Sequence, residues 1–323
     1  MNKQVNHVLI TRTDGIGDVI LTLPLAVALK RLLPHAKISF LGKAYTKPVI
    51  EACRAVDYFL DWDAVKDNDA AAANLLRANS ADVVFLVFPA KDVVRAAHAA
   101  KIKTRIATGR RWHTFLKVNH RLWFSRKKED LHESQYNLRM LSALGLKSEW
   151  RLDEIANMYD LHVSPCHAEA AQLFLEADKK VILHPKSHGS ALEWPSQSYG
   201  ELAKLLFDRG YAVAISGTER ERTAIGEDFP WELVTDLTGK LSLGELMQAI
   251  GAVDAVVAAS TGPLHIAAAL GINAVGLYSP KRPIYPRRWQ PIGPKATFLV
   301  AAQHPENGQL PFSAEEVLNH LLR

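Results

Sequence analysis

Short apolar runs alternate with amphipathic stretches along most of this chain. The runs at 7–12, 37–41 and 81–88 have the composition of buried strands, whereas 18–33 and 90–100 repeat apolar residues at helical spacing. After a helix predicted over 133–144 and ended by Gly145, strands are predicted at 180–184, 211–216, 255–259 and 273–278, and helices at 198–208, 243–250 and 264–270. This alternation is typical of βαβ units with parallel sheets.

The alternation falls into two series, separated by a polar stretch with one amphipathic helix between about residues 155 and 178. We therefore predict two α/β domains, 1–160 and 161–323. The 323 residues, 48% of them hydrophobic, are sufficient for two buried cores. A capped amphipathic helix predicted over 313–323 can pack on either domain, the first included.

The chain has no stretch of the roughly 18 apolar residues that a membrane helix needs, and its N-terminus lacks an apolar signal core. We therefore expect a cytoplasmic protein. Cys53 and Cys166 are far apart and form no CxxC pair, which disfavours a disulfide scaffold or a cysteine-rich zinc site.

The net charge of +5 comes from one segment, residues 101–128, which we call the basic segment. It holds ten Lys and Arg residues, no Asp or Glu, and interleaved Trp and Phe, while the rest of the chain has 29 basic and 34 acidic residues. This mixture suits an anionic partner with an apolar part. A solvated basic surface is the alternative, and nucleic acid is not expected because no nucleic-acid-binding motif accompanies the segment.

The turn between the first strand and the first helix carries candidate chemistry. Its sequence, Thr-Asp-Gly-Ile-Gly-Asp over 13–18, combines glycines that permit close backbone approach with the N–H groups of a helix start, which favour anions. Asp18 adds a carboxylate. A carboxylate here can cap the helix or act as a general base, and the turn alone does not decide between them.

Three loops of the second half follow predicted strands and are rich in small, hydrogen-bonding residues. Such loops and helix starts can hold phosphates through backbone N–H groups, although ordinary loops have a similar composition. We predict that they form an anion site from Lys186, Ser187, Gly189, Ser190, Gly217, Thr218, Glu219, Ser260, Thr261, Gly262, Pro263 and His265.

Taken in order, these motifs resemble glycosyltransferase family 9, whose best-known members are the lipopolysaccharide heptosyltransferases. The family's Asp-x-Ile-Gly-Asp pattern matches Asp14 to Asp18, its most diagnostic stretches match 239–243 and 261–271, and His132-Glu133 resembles a further feature. The resemblance covers nearly the whole chain. It implies a GT-B fold, in which two Rossmann-like domains with parallel sheets face across a cleft, the first binding the acceptor and the second the nucleotide-sugar donor.

The resemblance also implies the reaction, an inverting transfer of heptose from ADP-heptose to a lipopolysaccharide-core or lipid A–Kdo acceptor. Asp18 matches the family's catalytic aspartate. The basic segment would then hold the anionic acceptor or contact the inner face of the cytoplasmic membrane. The expected acceptor-binding residues are Asp14, Gly15, Gly17, Arg110, Arg111 and Lys117.

No metal or other cofactor is expected. An Asp-x-Asp pair of the kind that binds metal in other transferases occurs at Asp61 and Asp63, but it lies in the first half, away from the donor loops. We interpret it as a loop pair.

Two positions depart from the heptosyltransferase pattern. Leu192 stands where many members have Lys, and Ser260 stands where they commonly have Asp. Both changes remove a charge next to the donor, so the identity of the donor's sugar and of its base is left undecided. Lys186 is a candidate for the replacement cation. The alternatives are another nucleotide sugar, a nucleotide-sugar epimerase or hydrolase of GT-B fold, a non-catalytic nucleotide-binding module, and a dinucleotide oxidoreductase, which the lack of a full GxGxxG disfavours.

Overall fold

A computed structural model describes residues 5–109, 112–124, 126 and 130–323 of the chain. The chain divides into two compact units, Met1–His162 and Val163–Arg323. The division falls two residues after the boundary at 160/161 that the sequence predicts. We describe each unit by itself.

The described part of the first unit contains a sheet of six parallel strands with helices between them. Its strands are β1 (His7–Thr11), β2 (Lys37–Gly42), β3 (Tyr58–Asp61), β4 (Val83–Leu86), β5 (Thr104–Thr108) and β6 (His120–Leu122). Its helices are α1 (Ile16–Ile20), α2 (Leu23–Leu32), α3 (Lys47–Glu51), α4 (Asp69–Asn79), α5 (Lys91–Ala99), α6 (Glu133–Arg139) and α7 (Leu152–Ala156). The strand order is β3-β2-β1-β4-β5-β6, the Rossmann order.

The second unit repeats this topology. Its strands are β7 (Lys180–His184), β8 (Ala212–Ile215), β9 (Thr235–Asp236), β10 (Ala255–Ala259), β11 (Asn273–Tyr278) and β12 (Ala296–Val300). Its helices are α8 (Gln172–Leu175), α9 (Ser196–Phe207), α10 (Glu219–Ile225), α11 (Leu243–Gly251), α12 (Gly262–Ala269), α13 (Pro286–Trp289) and α14 (Ala314–Leu321). The order β12-β11-β10-β7-β8-β9 places the first and fourth strands of the unit side by side, as β1 and β4 are in the first unit.

The central strands are buried on both faces, which explains their nearly continuous apolar sequences. Val8, Leu9 and Ile10 of β1 have no exposed surface, and every residue of β10 is buried. These strands therefore form the middle of each core, and the loops at their carboxyl ends are held by rigid elements.

The helix predicted over 18–33 is two helices, α1 and α2, so the prediction of one continuous helix is wrong. Pro24 lies in the first turn of α2 and has no N–H to continue the α1 hydrogen-bond pattern. The Thr22 hydroxyl donates to the Asp18 carbonyl oxygen at 2.8 Å across the break. As a result, Asp18 lies on a helix of only five residues.

The basic segment, where the sequence pattern is irregular, contributes β5 and β6 at one edge of the first sheet. The sequence also predicts no element at β3, α4, β9 or β12. The three strands among these elements are short or partly exposed and therefore lack the apolar run of a central strand.

The C-terminal helix α14 packs on the second unit. Its Val317, Leu318 and Leu321 join the same core cluster as Leu202 and Leu206 of α9. The Asn273 side-chain amide also donates to the Leu321 carbonyl oxygen at 3.2 Å. Within the ranges that the structure describes, no helix is both long enough and apolar enough to cross a membrane.

Candidate functional site

The predicted site residues follow the central strands of the two sheets. In open α/β sheets, ligands bind at the carboxyl ends of the strands, where the strand order reverses. Asp14 and Asp18 follow β1 in the first unit. In the second unit, Lys186 follows β7 and Thr261 follows β10, which pairs with β7. We call these two places the β1 site and the β10 site.

The β1 site is built around Arg12, the residue directly after β1. Arg12 is only 3% exposed, and its Nε lies 2.8 Å from Asp14 Oδ1. Its Nη2 contacts Asp18 Oδ1, and its Nη1 lies 3.2 Å from Glu133 Oε1. Because a guanidinium presents its donors in a rigid plane, this buried arginine fixes Glu133 and Asp18 by hydrogen bonds. Asp14 is held by the charge of Arg12 alone, because the geometry between Nε and Oδ1 is not that of a hydrogen bond. We did not predict this role for Arg12. A positively charged residue at the end of an apolar strand is the sequence feature that could have indicated it.

Glu133 connects this arginine to helix α6. Its side chain is 1% exposed and also lies 3.1 Å from Nε of Arg126. One turn later, the Asn137 amide donates to the Leu21 carbonyl oxygen at 3.0 Å, next to the break between α1 and α2. His132 caps α6 by accepting the Ser134 N–H. Helix α6 is thereby bound to the segment that carries Asp18.

The charges of the β1 site shift the pKa values of two of its members. Burial alone would lower the pKa of Arg12, but Asp18, Glu133 and Asp14 together outweigh burial and raise it. Burial raises the pKa of Asp14, Arg12 opposes the rise, and the neighbouring Asp18 adds to it. Arg12 therefore stays charged, whereas Asp14 holds its negative charge less readily than an ordinary aspartate.

Asp18 is not the cap of its helix. Gly15 occupies the cap position of α1, no side chain caps it, and Asp18 is its third residue. The Asp18 side chain is 25% exposed although one oxygen contacts Arg12. A Cβ on Gly15 would lie 3.5 Å from Asp18 Oδ2, so the glycine leaves space beside this carboxylate. The capping interpretation is therefore wrong, and the carboxylate can reach a ligand.

The other predicted acceptor residues are less closely grouped. Gly17 lies within α1, and Lys117 is a partly buried turn residue whose carbonyl oxygen accepts from Arg105 Nε at 2.6 Å. Arg110 and Arg111 lie outside the described residues. Within the basic segment, Trp112 is 80% exposed and Trp123 is 73% exposed. The segment therefore presents apolar surface together with charge.

In the second unit, Glu193 organises the loop after β7. Its Oε2 lies 3.5 Å from Lys186 Nζ, and its Oε1 accepts both the N–H and the hydroxyl of Ser187 at 2.8 Å. The Ser190 hydroxyl donates to the Ser260 carbonyl oxygen at 3.5 Å, which brings this loop to the start of the loop after β10. Glu193, which our sequence analysis missed, thus neutralises the predicted cation Lys186. Gly189 lies exposed in the same loop.

The loop after β8 satisfies its own helix start. The Thr218 N–H donates to Glu221 Oε2 at 2.6 Å, and the Glu221 N–H donates back to the Thr218 hydroxyl at 3.3 Å. Glu219 is exposed beside them, and the Gly217 carbonyl oxygen accepts the Gly239 N–H at 2.8 Å. A carboxylate already occupies the place where a phosphate would bind. Of the three predicted loops, this one is therefore the least suited to an anion.

The loop after β10 leaves a polar atom available. Thr261 is the cap residue of α12 and is 6% exposed, yet its hydroxyl has no hydrogen-bond partner among the residues that the structure describes. Gly262 and Pro263 form the first turn of α12, and the buried His265 donates its N–H to the Thr261 carbonyl oxygen at 3.3 Å. Because buried polar groups are rarely left unsatisfied, this hydroxyl and the adjacent helix start suit an oxyanion.

The pair Asp61 and Asp63 has structural contacts of its own. Asp63 Oδ1 lies 2.9 Å from Lys66 Nζ, and its other oxygen accepts the Ala44 N–H at 2.9 Å. The bond from Lys66, followed by the one from Ala44, lowers the pKa of Asp63. Asp61 in turn accepts the Asp63 N–H at 2.8 Å. Asp61 is the last residue of β3, so only Asp63 lies in a loop.

Comparisons with known proteins identify relatives of the chain. Residues 70–314 match the family model of glycosyltransferase family 9 (heptosyltransferase). Lipopolysaccharide heptosyltransferase 1 of Escherichia coli is 25% identical over 302 residues, covering 86% of this chain and 89% of that protein. Lipooligosaccharide heptosyltransferase 2 of Haemophilus influenzae is 36% identical over 118 residues, 34% of this chain and 33% of that protein.

A solved structure has the same fold as this chain. The solved structure of the E. coli ADP-heptose lipopolysaccharide heptosyltransferase II superimposes with a TM-score of 0.77 over 98% of both chains, at 22% identity. The family match covers most of the chain, and the resemblance found in the sequence motifs is confirmed. The chain therefore belongs to glycosyltransferase family 9, and it is a glycosyltransferase whose two parallel-sheet α/β units have the GT-B fold.

Proposed function

We propose that this enzyme transfers heptose from ADP-heptose to an anionic lipopolysaccharide-core or lipid A–Kdo acceptor, with inversion and without a metal ion. The names of its relatives support this substrate pair. The observation that carries the proposal is the Asp18 carboxylate, ion-paired with a buried arginine and partly exposed at the carboxyl end of β1.

In the proposed reaction, Asp18 is the general base. The acceptor hydroxyl gives its proton to the carboxylate while its oxygen forms a bond to the anomeric carbon. The bond from that carbon to the diphosphate oxygen breaks on the opposite face, and its electron pair leaves with the nucleoside diphosphate. Arg12 fixes the orientation of the Asp18 carboxylate, so proton acceptance needs no rearrangement of the base.

The leaving group is assigned to the β10 site. A diphosphate gains negative charge as it departs, and fixed donors stabilise that charge in the transition state. The Thr261 hydroxyl and the N–H of Gly262 supply such donors, and the start of α12 adds its dipole. This assignment makes the second unit the donor-binding domain and the first unit the acceptor-binding domain.

The acceptor's phosphates and carboxylates are assigned to the basic segment. Lys117, with Arg110 and Arg111, would neutralise them. The exposed Trp112 and Trp123 suit the boundary between lipid headgroups and acyl chains, where aromatic rings are favoured. The segment thus also supports peripheral contact with the inner face of the cytoplasmic membrane.

A family 9 transferase that uses another nucleotide sugar is the second candidate, and the residues at 192 and 260 favour it. Leu192 packs against the core of the second unit and brings no charge to the loop after β7. Titration of ADP, UDP and GDP into the protein separates the candidates. Selective ADP binding would support ADP-heptose as the donor, and selective UDP or GDP binding would indicate a different nucleotide sugar.

The variant Asp18→Asn tests the general base. It retains the shape of the side chain but cannot accept the proton, so we expect the protein to fold and to bind ADP as before while transfer falls by about 10²–10⁴-fold. Asp69→Asn is the matched control, because Asp69 also lies in the first turn of a helix of the first unit and pairs with an arginine, but at an exposed position.

Substantial transfer by Asp18→Asn would remove Asp18 from the reaction. Consumption of the nucleotide sugar at full rate without any acceptor would instead indicate a hydrolase or an epimerase.

A further inference from the structure

A second group of cations lies in the second unit, in the loop after β11. Between residues 255 and 305 the chain has no Asp or Glu. Its five cations in that range are Lys281, Arg282, Arg287, Arg288 and Lys295, and four of them fall within 281–288. We call residues 279–289 the β11 loop.

The β11 loop begins beside the β10 site. Strand β11 pairs with β10 in parallel, and Leu277 is the partner of Ala259. Neighbouring strands lie about 4.8 Å apart, so the segments that begin at Ser260 and Ser279 leave the sheet side by side. The Ser279 hydroxyl accepts the Lys281 N–H at 3.3 Å and bonds to His304 Nδ1 at 2.8 Å, which fixes the first turn of the loop.

A buried tyrosine joins the β11 loop to the β10 site. Tyr278 is 2% exposed, and its hydroxyl donates to the Trp289 carbonyl oxygen at 2.5 Å. Burial raises the pKa of Tyr278, and a hydrogen bond with Ser260 opposes part of this rise. A Cβ on Gly276 would lie 2.6 Å from the Tyr278 ring, so the position of the tyrosine depends on this glycine. The Tyr278 hydroxyl therefore fixes the end of the β11 loop.

The neighbouring loops do not supply the positive charge that a diphosphate requires. Lys186, the predicted cation, is ion-paired with Glu193. The loop after β8, residues 217–221, adds Glu219 and Glu221 but only one cation, Arg220, so the two loops together have more carboxylates than cations. A nucleoside diphosphate therefore finds no net positive charge in them, and further cations have to come from the side of β11.

We propose that Lys281 and Arg282 bind the diphosphate of the donor and stabilise its growing charge as the sugar leaves. This inference rests on the proposed donor site and extends it to a loop on the other side of β10. When the bond between the anomeric carbon and the diphosphate oxygen breaks, the electron pair stays on that oxygen, where the two cations attract it. The two cations thereby replace the lysine that many family members have where this chain has Leu192. Ser260 is uncharged, so it does not compete with the diphosphate for these cations.

The double variant Lys281→Gln/Arg282→Gln tests this inference. ADP, UDP and GDP are first titrated into the unaltered protein. The diphosphate that binds most tightly and, in a separate titration, the corresponding monophosphate are then titrated into each variant. We expect the double variant to bind the diphosphate at least about 10-fold more weakly, because each lost charge-assisted hydrogen bond is among the strong ones. The loss for the monophosphate should be smaller, and Lys281→Arg/Arg282→Lys should restore affinity.

Lys295→Gln is the matched control. It removes one positive charge, half the change of the double variant, from an exposed residue of the same unit. Lys295 immediately precedes β12 and therefore lies at the amino ends of the parallel strands, opposite to the β10 site. Unchanged affinity of the double variant, or an equal loss in Lys295→Gln, would overturn the inference and leave the proposed transferase intact. If none of the three nucleotides bound to the unaltered protein, the donor site and the inference would both be overturned.

Discussion

The β1 site and the β10 site follow central strands of the same topology, the first strand of one unit and the fourth strand of the other, and they are built differently. At the β1 site, a buried arginine holds three carboxylates by side-chain ion pairs. At the β10 site, small residues present an unsatisfied hydroxyl and the start of a helix. The same topology therefore supports either a charged side-chain cluster or a backbone cradle, depending on the residues that follow the central strand.

The functional groups of the β1 site also stabilise their unit, whereas the unpaired hydroxyl of the β10 site does not. The ion pairs of the β1 site hold α1 and α6 together, so the proposed base cannot be separated from the packing of its unit. Among the described residues, no group pairs with the buried Thr261 hydroxyl of the β10 site, an arrangement that costs stability and favours ligand binding. Removing the shared arginine of the first site should therefore lower stability, whereas changes at the second site should mainly alter affinity.

The largest effect on stability is expected from Arg12→Met. This change leaves Glu133, Asp14 and Asp18 without their shared cation, and breaking a buried pair in this way costs about 3–5 kcal/mol of unfolding free energy. Urea unfolding measures the loss. The control is Arg95→Met, which removes a pair with Asp69 in which both side chains are exposed, and which should cost less than about 1 kcal/mol. Equal losses would mean that the cluster contributes no more than a surface pair.

An intermediate effect, on affinity alone, is expected from Thr261→Val. Removing the unpaired hydroxyl should weaken nucleoside diphosphate binding by about 3–10-fold, the equivalent of one hydrogen bond, without lowering thermal stability. Thr238→Val provides the contrast, since the Thr238 hydroxyl already bonds to Asp236 at 2.5 Å. That variant should lose stability and retain affinity. Unchanged diphosphate affinity in Thr261→Val would remove this hydroxyl from the donor site.

The smallest effect is expected from Asp14→Asn and concerns pH. Because the folded protein raises the pKa of Asp14, this residue favours folding below its unfolded pKa of about 3.9 and loses that contribution as the pH rises through its folded pKa. The variant should therefore have a slightly higher Tm than the unaltered protein at pH 7, and the difference should shrink as the pH falls towards 4. A lower Tm at pH 7 would show that the ion pair with Arg12 outweighs burial.

The sequence predicts the central elements well because their signal is local. The bounds predicted for β10 and β11 agree with the structure, since a buried parallel strand is a continuous apolar run. The break between α1 and α2 was missed although Pro24 indicated it. The partly exposed strands at the sheet edges carry too few apolar residues to be recognised.

The candidate site is predictable only in part. Motif positions such as Asp18 and Thr261 can be read from the chain, but the partners that define their surroundings are distant in sequence. Arg12 and Glu133 are 121 residues apart and meet only in the folded unit. Glu193 belongs to no motif. It neutralises Lys186 because the folded loop places the two side chains 3.5 Å apart.

The division of the chain has a consequence for protein engineering. Each unit is continuous in sequence, and α14 completes the core of the second unit with residues of that unit. The polypeptide therefore passes from one unit to the other at a single peptide junction, between His162 and Val163. One crossover at that junction is enough to exchange a whole half between family members without cutting through either core.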